Sequence, residues 1–199
     1  MVSIASDQAV PTSATTLEIS TKLVIAGGFG VGKTTLVSAV SDIPVLGTEA
    51  QMTEASVGID ELGLIPEKTS TTVAMDFGRL ALEPGLLLYL FGAPGQDRFW
   101  FMWDDLVRGA IGAIVLADTR RLEASFPAIN YFEQRGDVPF LVAVNRFDGR
   151  LTHPLDQVRE ALDLDPAIPL ADCDARERAD VLAVLRVVIR HALNAELNS

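Results

Sequence analysis

The sequence predicts an α/β fold with a mostly parallel sheet of about six strands and helices on both faces. Short apolar runs rich in branched residues, typical of buried strands, alternate with segments of helical spacing along most of the 199 residues. Such alternation generates parallel strands joined by crossover helices. One pair of runs, joined at Glu83–Gly85, instead predicts a hairpin and therefore one antiparallel strand at the edge of the sheet.

The order of the elements follows from the same patterns. The first buried strand is KLVIAGG, and the helix GKTTLVSAV follows it. Residues 42–70 are interpreted as a long loop because glycines and prolines interrupt any sustained period. The hairpin occupies residues 71–92, and the buried strands AIGAIVLAD and VPFLVAVN come next, separated by a helical segment. A helix at residues 154–164, a short strand at 167–172 and a helix at 178–197 complete the prediction.

Composition limits what the protein binds and where it works. The Ser, Thr, Ala and Pro content of residues 1–16 predicts a flexible lead-in, so the folded domain is expected at residues 17–199. A net charge of −11 disfavours nonspecific binding to nucleic acid or to an anionic membrane, because both depend on Lys and Arg. The single cysteine, Cys173, and the absence of a signal-peptide pattern predict a cytoplasmic protein. No apolar run approaches the roughly 20 residues that span a bilayer, so any membrane recruitment is expected to occur through partners.

The segment between the first strand and the first helix has the pattern of a phosphate-binding loop. Residues 27–34 read GGFGVGKT, which is G-x-x-x-x-G-K-T. Lys33 is expected to reach the β- and γ-phosphate oxygens, and the Thr34 hydroxyl to coordinate Mg²⁺. The alternative is a glycine-rich turn that contains Lys by chance. The residues expected to contact phosphate here are Gly27, Gly28, Phe29, Gly30, Val31, Gly32, Lys33, Thr34 and Thr35.

A second pattern, N-x-x-D, follows the strand VPFLVAVN. Alone it would be a turn, but ligands in open parallel sheets bind at the carboxyl ends of the strands. Together with the phosphate loop it resembles the Ras-like small GTPases, P-loop NTPases of three-layer α/β/α architecture whose base motif is Asn-Lys-x-Asp. The resemblance implies that Asp148 pairs with guanine, that Asn145 braces the loop and that Arg146 lies against the base. GTP is therefore expected in preference to ATP.

Asp174, Ala175 and Arg176 follow the last predicted strand and resemble the Ser-Ala-Lys motif of the same GTPases. The resemblance implies that the Ala175 backbone N–H meets the guanine carbonyl. The alternative is that Asp174 caps the last helix.

Residues 91–96, FGAPGQ, are similar to the Asp-x-x-Gly-Gln motif of the family, with Gly92 in place of Asp. The resemblance implies that the Gly95 N–H meets the γ-phosphate and that Gln96 orients the attacking water. The chain most resembles the bacterial gliding-motility (MglA-like) small GTPases and the GTP-binding proteins of actinomycete conservon clusters. This resemblance implies a slow GTP/GDP switch with a roadblock/LC7-type regulatory partner and a link to a sensor kinase.

In that group the switch threonine precedes a strand ending in Asp-Phe, and Thr72 has this position ahead of Asp76. The resemblance implies that Thr72 and Lys33 act with Gln96 in hydrolysis and that Thr72 closes on Mg²⁺. Strand alternation places Asp76 on the same face as Thr72. The Asp76 carboxylate is therefore expected to hold a magnesium-bound water. The alternative is an ordinary polar residue of an edge strand.

The segment DRFWFMWDDL after Gln96 is predicted as a second switch helix with Phe99, Trp103 and Leu106 facing inward. Five consecutive apolar residues encircle a helix, so an aromatic side chain is expected to face outward. It would lie under the first switch or form a partner surface. Besides the slow GTPase, a scaffold with negligible hydrolysis stays open, favoured by Gly92 and Phe29 and opposed by Gln96. The scattered arginines disfavour a kinase.

Overall fold

The computed structural model describes residues 19–53 and 70–197 and forms these residues into one seven-stranded sheet. Its strands are β1 (Ile19–Ala26), β2 (Leu46–Thr53), β3 (Ser70–Glu83), β4 (Leu86–Gly92), β5 (Gly112–Ala117), β6 (Phe140–Asn145) and β7 (Leu170–Cys173). Across the sheet the order is β2-β3-β4-β1-β5-β6-β7. The strands from β4 to β7 in this order are parallel, whereas β3 is antiparallel to both β2 and β4. The predicted fold class is confirmed.

Helices cover both faces of the sheet. They are α1 (Lys33–Val40), α2 (Trp103–Val107), α3 (Phe126–Arg135), α4 (Leu155–Ala161) and α5 (Arg178–Leu197), with 3₁₀ turns at Asp97–Met102 and Leu122–Ser125. In β1, Leu23 and Ile25 pack with α1 and α5, and Val24 and Ala26 pack with α2, α3 and α4. Continuous apolar runs therefore marked strands that are buried on both faces. In the part of the chain that the structure describes, no helix is long and apolar enough to cross a membrane.

The interpretation of residues 42–70 as one loop is wrong for residues 46–53. These residues form β2, in which Leu46 pairs with Phe77 and Thr53 with Ser70. An edge strand is held by backbone hydrogen bonds to a single neighbour, so its sequence, LGTEAQMT, carries little of the apolar pattern of a buried strand. Residues 54–69 of the predicted loop and residues 1–16, the predicted lead-in, lie outside the described residues.

The segment after Gln96 forms a 3₁₀ turn followed by the short α2 rather than one continuous helix. A 3₁₀ turn brings residues three apart onto one face, and Phe99 and Met102 are both buried. The predicted inward side chains are confirmed, because Trp103 and Leu106 are buried as well. Outward-facing aromatic side chains are also present, since Trp100 is 40% and Phe101 56% exposed.

The parallel strands bring five loops to one edge of the sheet. The loops follow the carboxyl ends of β1, β4, β5, β6 and β7 and occupy residues 27–32, 93–96, 118–121, 146–149 and 174–177. This edge is where open parallel sheets bind ligands. The phosphate and base motifs of the sequence lie there.

Candidate nucleotide-binding site

The loop after β1 has the backbone geometry of an anion-binding nest. Gly27, Gly30 and Gly32 have φ values of 127°, 75° and 104°, which are unfavourable for residues with a Cβ. Helix α1 begins directly after Gly32 at Lys33. A glycine-rich loop that enters a helix presents successive backbone N–H groups together with the positive end of the helix dipole.

Lys33 lies inside this loop. Its Nζ donates hydrogen bonds to the carbonyl oxygens of Gly27 at 2.9 Å and Gly28 at 2.7 Å. Burial lowers the pKa of Lys33 to about 8, and the charge of the nearby Asp76 carboxylate acts in the opposite direction. The Lys33 amine therefore lies where the lysine of a phosphate-binding loop reaches the β- and γ-phosphates.

Two adjoining cavities lie at this edge of the sheet. The larger, about 410 Å³, lies between the phosphate loop and the ends of β3 and β4. Its lining consists of Phe29, Gly30, Gly32, Lys33, Thr34, Thr35, Asp76, Gly92, Ala93, Pro94 and Gly95. The smaller, about 150 Å³, is lined by Gly32, Thr35, Asn145, Phe147, Asp174, Ala175 and Arg176. Because both include Gly32 and Thr35, the phosphate and base motifs border one elongated site.

Asp76 and Gly92 are direct partners in the pairing of β3 with β4. A Cβ added to Gly92 would lie 2.9 Å from the Asp76 Cβ and 3.0 Å from its Oδ2. The Thr34 hydroxyl donates a hydrogen bond of 2.6 Å to the same Oδ2. The carboxylate beside Thr34 therefore comes from β3, and its side chain occupies the space that a side chain at position 92 would need. Hydroxyl and carboxylate oxygens are ligands of the kind that Mg²⁺ binds.

Gly95 packs tightly against the phosphate loop. A Cβ at this position would lie 2.7 Å from the carbonyl carbon of Gly28 and 2.6 Å from the Lys33 Nζ. Gln96 follows, is half-buried, and accepts at its carbonyl a hydrogen bond from the Phe99 N–H at 3.0 Å. Thr72 lies on β3, where its backbone pairs with Gln51; its side chain is outside the described part of the structure. Of the residues expected to act in hydrolysis, Lys33 lines the larger cavity. Gln96 directly follows Gly95, which also lines it.

The Asn145 side chain joins two of the loops. Its Nδ2 donates to the Val31 carbonyl at 2.9 Å, and its Oδ1 accepts from the Ala175 N–H at 3.1 Å. Asn145 is only 7% exposed, so both bonds are largely protected from water. One amide therefore fixes the phosphate loop relative to the loop after β7.

Arg146 is held away from the smaller cavity. Its guanidinium forms ion pairs with Asp172 at 3.2 Å and with Asp180, whose carboxylate also accepts from the Asp174 N–H at 3.0 Å. The lining of the smaller cavity, called the base cavity below after the motif beside it, instead includes Phe147. Asp148, one residue further, is exposed.

Asp174 stabilises the turn that precedes α5. Its carboxylate accepts from the Arg176 backbone N–H at 3.0 Å and from the Arg176 guanidinium at 2.8 and 2.6 Å. These hydrogen bonds from Arg176 lower the pKa of Asp174 to about 2. Helix α5 begins only at Arg178. The alternative that Asp174 caps this helix is therefore wrong.

Sequence reasoning missed the loop after β5, which lies between the phosphate and base loops. Asp118 is 3% exposed and binds the Arg120 guanidinium through both carboxylate oxygens. Burial opposes its ionisation, but hydrogen bonds from Arg120 outweigh this effect and lower the pKa of Asp118. Arg120 also stacks on Phe147, and Arg121 donates to the Phe29 carbonyl at 3.0 Å. The sequence signal that could have indicated this loop is the charged segment DTRR, which directly follows a buried strand at its carboxyl end.

Cys173 ends β7 and is fully buried. Burial raises the pKa of its thiol to about 12, so almost no thiolate, the reactive form, exists near pH 8. We expect iodoacetamide at pH 8 to leave the native protein unmodified and to alkylate it once after unfolding in guanidinium chloride, as measured by intact mass. Arg150→Cys, which adds a thiol at an exposed position, is the control and should be labelled in the native state. Rapid alkylation of native Cys173 would contradict the buried position.

The strand, glycine loop and helix, together with a second cavity at the same sheet edge, define a P-loop nucleotide-binding domain with the fold of a GTPase G domain. The chain belongs to the family described as conserved hypothetical ATP binding proteins, which residues 25–195 match. An uncharacterized protein of Methanocaldococcus jannaschii is 29% identical over 129 residues, which make up 64% of this chain and 70% of that protein.

Solved G domains share the fold at low identity. The G domain of the T. maritima FeoB iron transporter superposes with a TM-score of 0.59 and 18% identity, covering 87% of this chain and 99% of that domain. The FeoB G domain of Methanococcus jannaschii gives a TM-score of 0.57 and 14% identity, covering 87% of this chain and 98% of that domain. These likenesses show the fold alone.

Proposed function

We propose that the protein is a regulatory GTPase that binds GTP with Mg²⁺ and hydrolyses it slowly to GDP and phosphate. The observation that carries the proposal is the pair of adjoining cavities at one sheet edge. The larger cavity is lined by a lysine, by glycine backbone and by a hydroxyl–carboxylate pair. The smaller cavity is lined by Asn145 and Phe147 of the N-x-x-D motif. One nucleotide can therefore place its phosphates in the larger cavity and its base in the smaller cavity at the same time.

In this proposal the phosphate end is stabilised by charge. Lys33 and the backbone N–H groups of the loop neutralise the β- and γ-phosphate oxygens, and the Gly95 N–H meets the γ-phosphate. Thr34 and Thr72 would hold Mg²⁺, and Asp76 would hold it through a water. Bound there, the ion would supply positive charge beside the transferred phosphoryl group. Gln96, next to Gly95, orients the attacking water.

The base end favours guanine, although the family description names ATP. A carboxylate accepts hydrogen bonds only, and guanine N1–H and its 2-amino group are donors on one edge. The corresponding atom of adenine, N1, is an acceptor and would face the Asp148 carboxylate unfavourably. Ala175 lines the same cavity, and its N–H, which donates to the Asn145 Oδ1 at 3.1 Å, would exchange this acceptor for the guanine carbonyl when the base binds.

A second candidate, a nucleotide-dependent scaffold with negligible hydrolysis, is favoured by Phe29. This side chain is 66% exposed at the lining of the phosphate cavity, where its bulk would crowd Gln96 or an activating residue of a partner. For either candidate we propose that the exposed Trp100 and Phe101 contact a protein partner, since exposed aromatics mark interaction sites. From the resemblance to the MglA-like and conservon proteins we propose that the protein is cytoplasmic. We also propose that its partner is a roadblock/LC7-type protein in a sensor-kinase system.

The test measures nucleotide choice and turnover together. We expect purified protein to bind GTP and GDP at least 30-fold more tightly than ATP, followed by Trp fluorescence. Asp148→Asn should remove most of this preference, because the amide offers a donor where guanine needs acceptors. Asp156→Asn, an exposed aspartate of α4, is the matched control. Equal affinity for ATP and GTP in the wild-type protein would contradict the guanine assignment.

Turnover separates the two candidates. We expect slow hydrolysis of GTP with Mg²⁺ that falls at least tenfold in Gln96→Leu, because the water loses its orienting group. Gln134→Leu on the exposed face of α3 is the control and should retain the wild-type rate. Tight guanine binding with no turnover in any variant would establish the scaffold and reject the hydrolase.

A further inference from the structure

We propose that the segment Asp118–Arg121, after β5, positions both halves of the nucleotide site: Arg120 fixes the base loop and Arg121 fixes the phosphate loop. The proposal rests on the proposed nucleotide-binding function. In this proposal neither arginine contacts the reacting atoms. Both are positioning residues, which act by holding other residues in place. Strand β5 pairs with β1 on one side and with β6 on the other, so the segment that follows it lies between the phosphate loop and the base loop.

Asp118 anchors the segment. It is almost fully buried and accepts from the Arg120 backbone N–H at 2.9 Å, from Arg120 Nε at 2.9 Å and from Arg120 Nη2 at 2.9 Å. A bidentate carboxylate–guanidinium pair fixes the orientation of the guanidinium plane as well as its position. Arg120 is therefore preorganised before any ligand binds.

Arg120 in turn fixes the base loop. Its Cζ lies 3.7 Å from the ring centroid of Phe147, the residue between Arg146 and Asp148. A second contact joins the hydroxyl groups of Thr119 and of Thr152, three residues beyond the base loop, at 2.7 Å. A cation stacked on an aromatic ring restrains the ring, and Phe147 lines the base cavity. The stack thus restrains the turn that presents Asp148.

Arg121 fixes the phosphate loop from outside. Its Nη2 donates to the Phe29 carbonyl at 3.0 Å. In a trans peptide the C=O of one residue and the N–H of the next point in opposite directions. Holding the Phe29 carbonyl outward therefore turns the Gly30 N–H away from Arg121, and Gly30 lines the phosphate cavity with a φ of 75°. The charge of the guanidinium also polarises this peptide toward anion binding.

The two arginines should have separable effects. Loss of Arg121 should weaken binding of any polyphosphate and leave base preference unchanged. Loss of Arg120 should weaken base discrimination and leave binding of a polyphosphate without a base unchanged. A general structural role would instead alter all ligands and the melting temperature together.

The experiment compares Arg120→Gln and Arg121→Gln with Arg108→Gln, which removes one charge at an exposed ion pair with Asp105. Calorimetry measures the affinities of GDP, inosine diphosphate and inorganic tripolyphosphate, each with Mg²⁺. We expect Arg121→Gln to weaken tripolyphosphate and both nucleotides roughly 3- to 10-fold. Arg120→Gln should lower the GDP-to-inosine-diphosphate affinity ratio by a similar factor.

Conservative variants sharpen the test. Arg121→Lys should recover most of the lost affinity, because one N–H donor to a carbonyl is enough. Arg120→Lys should not recover the ratio, because lysine provides neither the bidentate pair nor a planar stack. Affinities like those of Arg108→Gln in either variant would overturn the proposal while the proposed function stands. So would equal losses for all three ligands in Arg120→Gln, or a change in the GDP-to-inosine-diphosphate ratio or a fall in melting temperature in Arg121→Gln. A wild-type protein that binds tripolyphosphate but not GDP would overturn the proposed function and the role of Arg120, and tripolyphosphate affinities would still decide the role of Arg121.

Discussion

Replacing Asp76 by Asn is expected to abolish most of the Mg²⁺ dependence of GTP binding. The Asp76 Oδ2 lies 2.6 Å from the Thr34 hydroxyl, and Asp76 pairs with Gly92, which stands where the small GTPases that the sequence resembles have Asp. A neutral amide keeps the shape of the side chain but removes the charge that, in the proposed function, holds a metal-bound water. Hydrogen bonds to charged groups contribute about 1.5–3 kcal/mol, so we expect roughly a 10- to 150-fold loss of GTP affinity in Mg²⁺.

The measurement is GTP affinity with Mg²⁺ and with EDTA. The exposed Asp105→Asn is the control and should behave as wild type. Gly92→Asp alone should also fail, because the new side chain would collide with Asp76. Asp76→Gly combined with Gly92→Asp removes the collision and should recover Mg²⁺ dependence. Retention of full dependence in Asp76→Asn would leave Asp76 as a polar strand residue with no metal role.

Replacing Gly95 by Ala is expected to disrupt phosphate binding without unfolding the protein. The added Cβ would lie 2.7 Å and 2.8 Å from the carbonyl carbon and oxygen of Gly28, and these backbone atoms cannot rotate away. The phosphate loop must therefore shift. Overpacking of this kind costs about 1–3 kcal/mol, which corresponds to roughly a 5- to 150-fold loss of affinity for GTP and GDP.

Nucleotide affinity and melting temperature are measured together for this variant. Gly47→Ala is the matched control, because a Cβ there meets nothing within 4 Å. It should retain wild-type affinity. Wild-type affinity in Gly95→Ala would show that the loop after β4 adjusts freely and that close packing against Gly28 is not required for binding.

The features that sequence could predict were those with a local cause. The phosphate loop was recognisable because three positive φ values require glycine at fixed spacing, whatever the rest of the fold does. Strands such as β5 were recognisable because burial on both faces requires a continuous apolar run. In both cases one short segment contains the whole physical requirement.

The features that sequence missed depend on segments far apart in the chain. Strand β2 is held by backbone pairing, which leaves little side-chain pattern. The ion pairs of Arg146 could not be predicted, because the carboxylates that pair with it, Asp172 and Asp180, lie in β7 and α5. Arg120 and Arg121 belong to no motif, and their contacts with Phe147 and Phe29 arise only when the sheet aligns their loops.

The close approach of Asp76 and Gly92 also constrains how such a site can change during evolution. An acidic side chain fits at one of the two positions and not at both. A lineage that moves the carboxylate from one strand to the other must pass through a sequence that has either two colliding side chains or no carboxylate. Each intermediate is expected to lose function, so the two arrangements are separated by a barrier that two nearly simultaneous substitutions must cross. Sequences with an acidic residue at position 76 should therefore keep glycine at position 92.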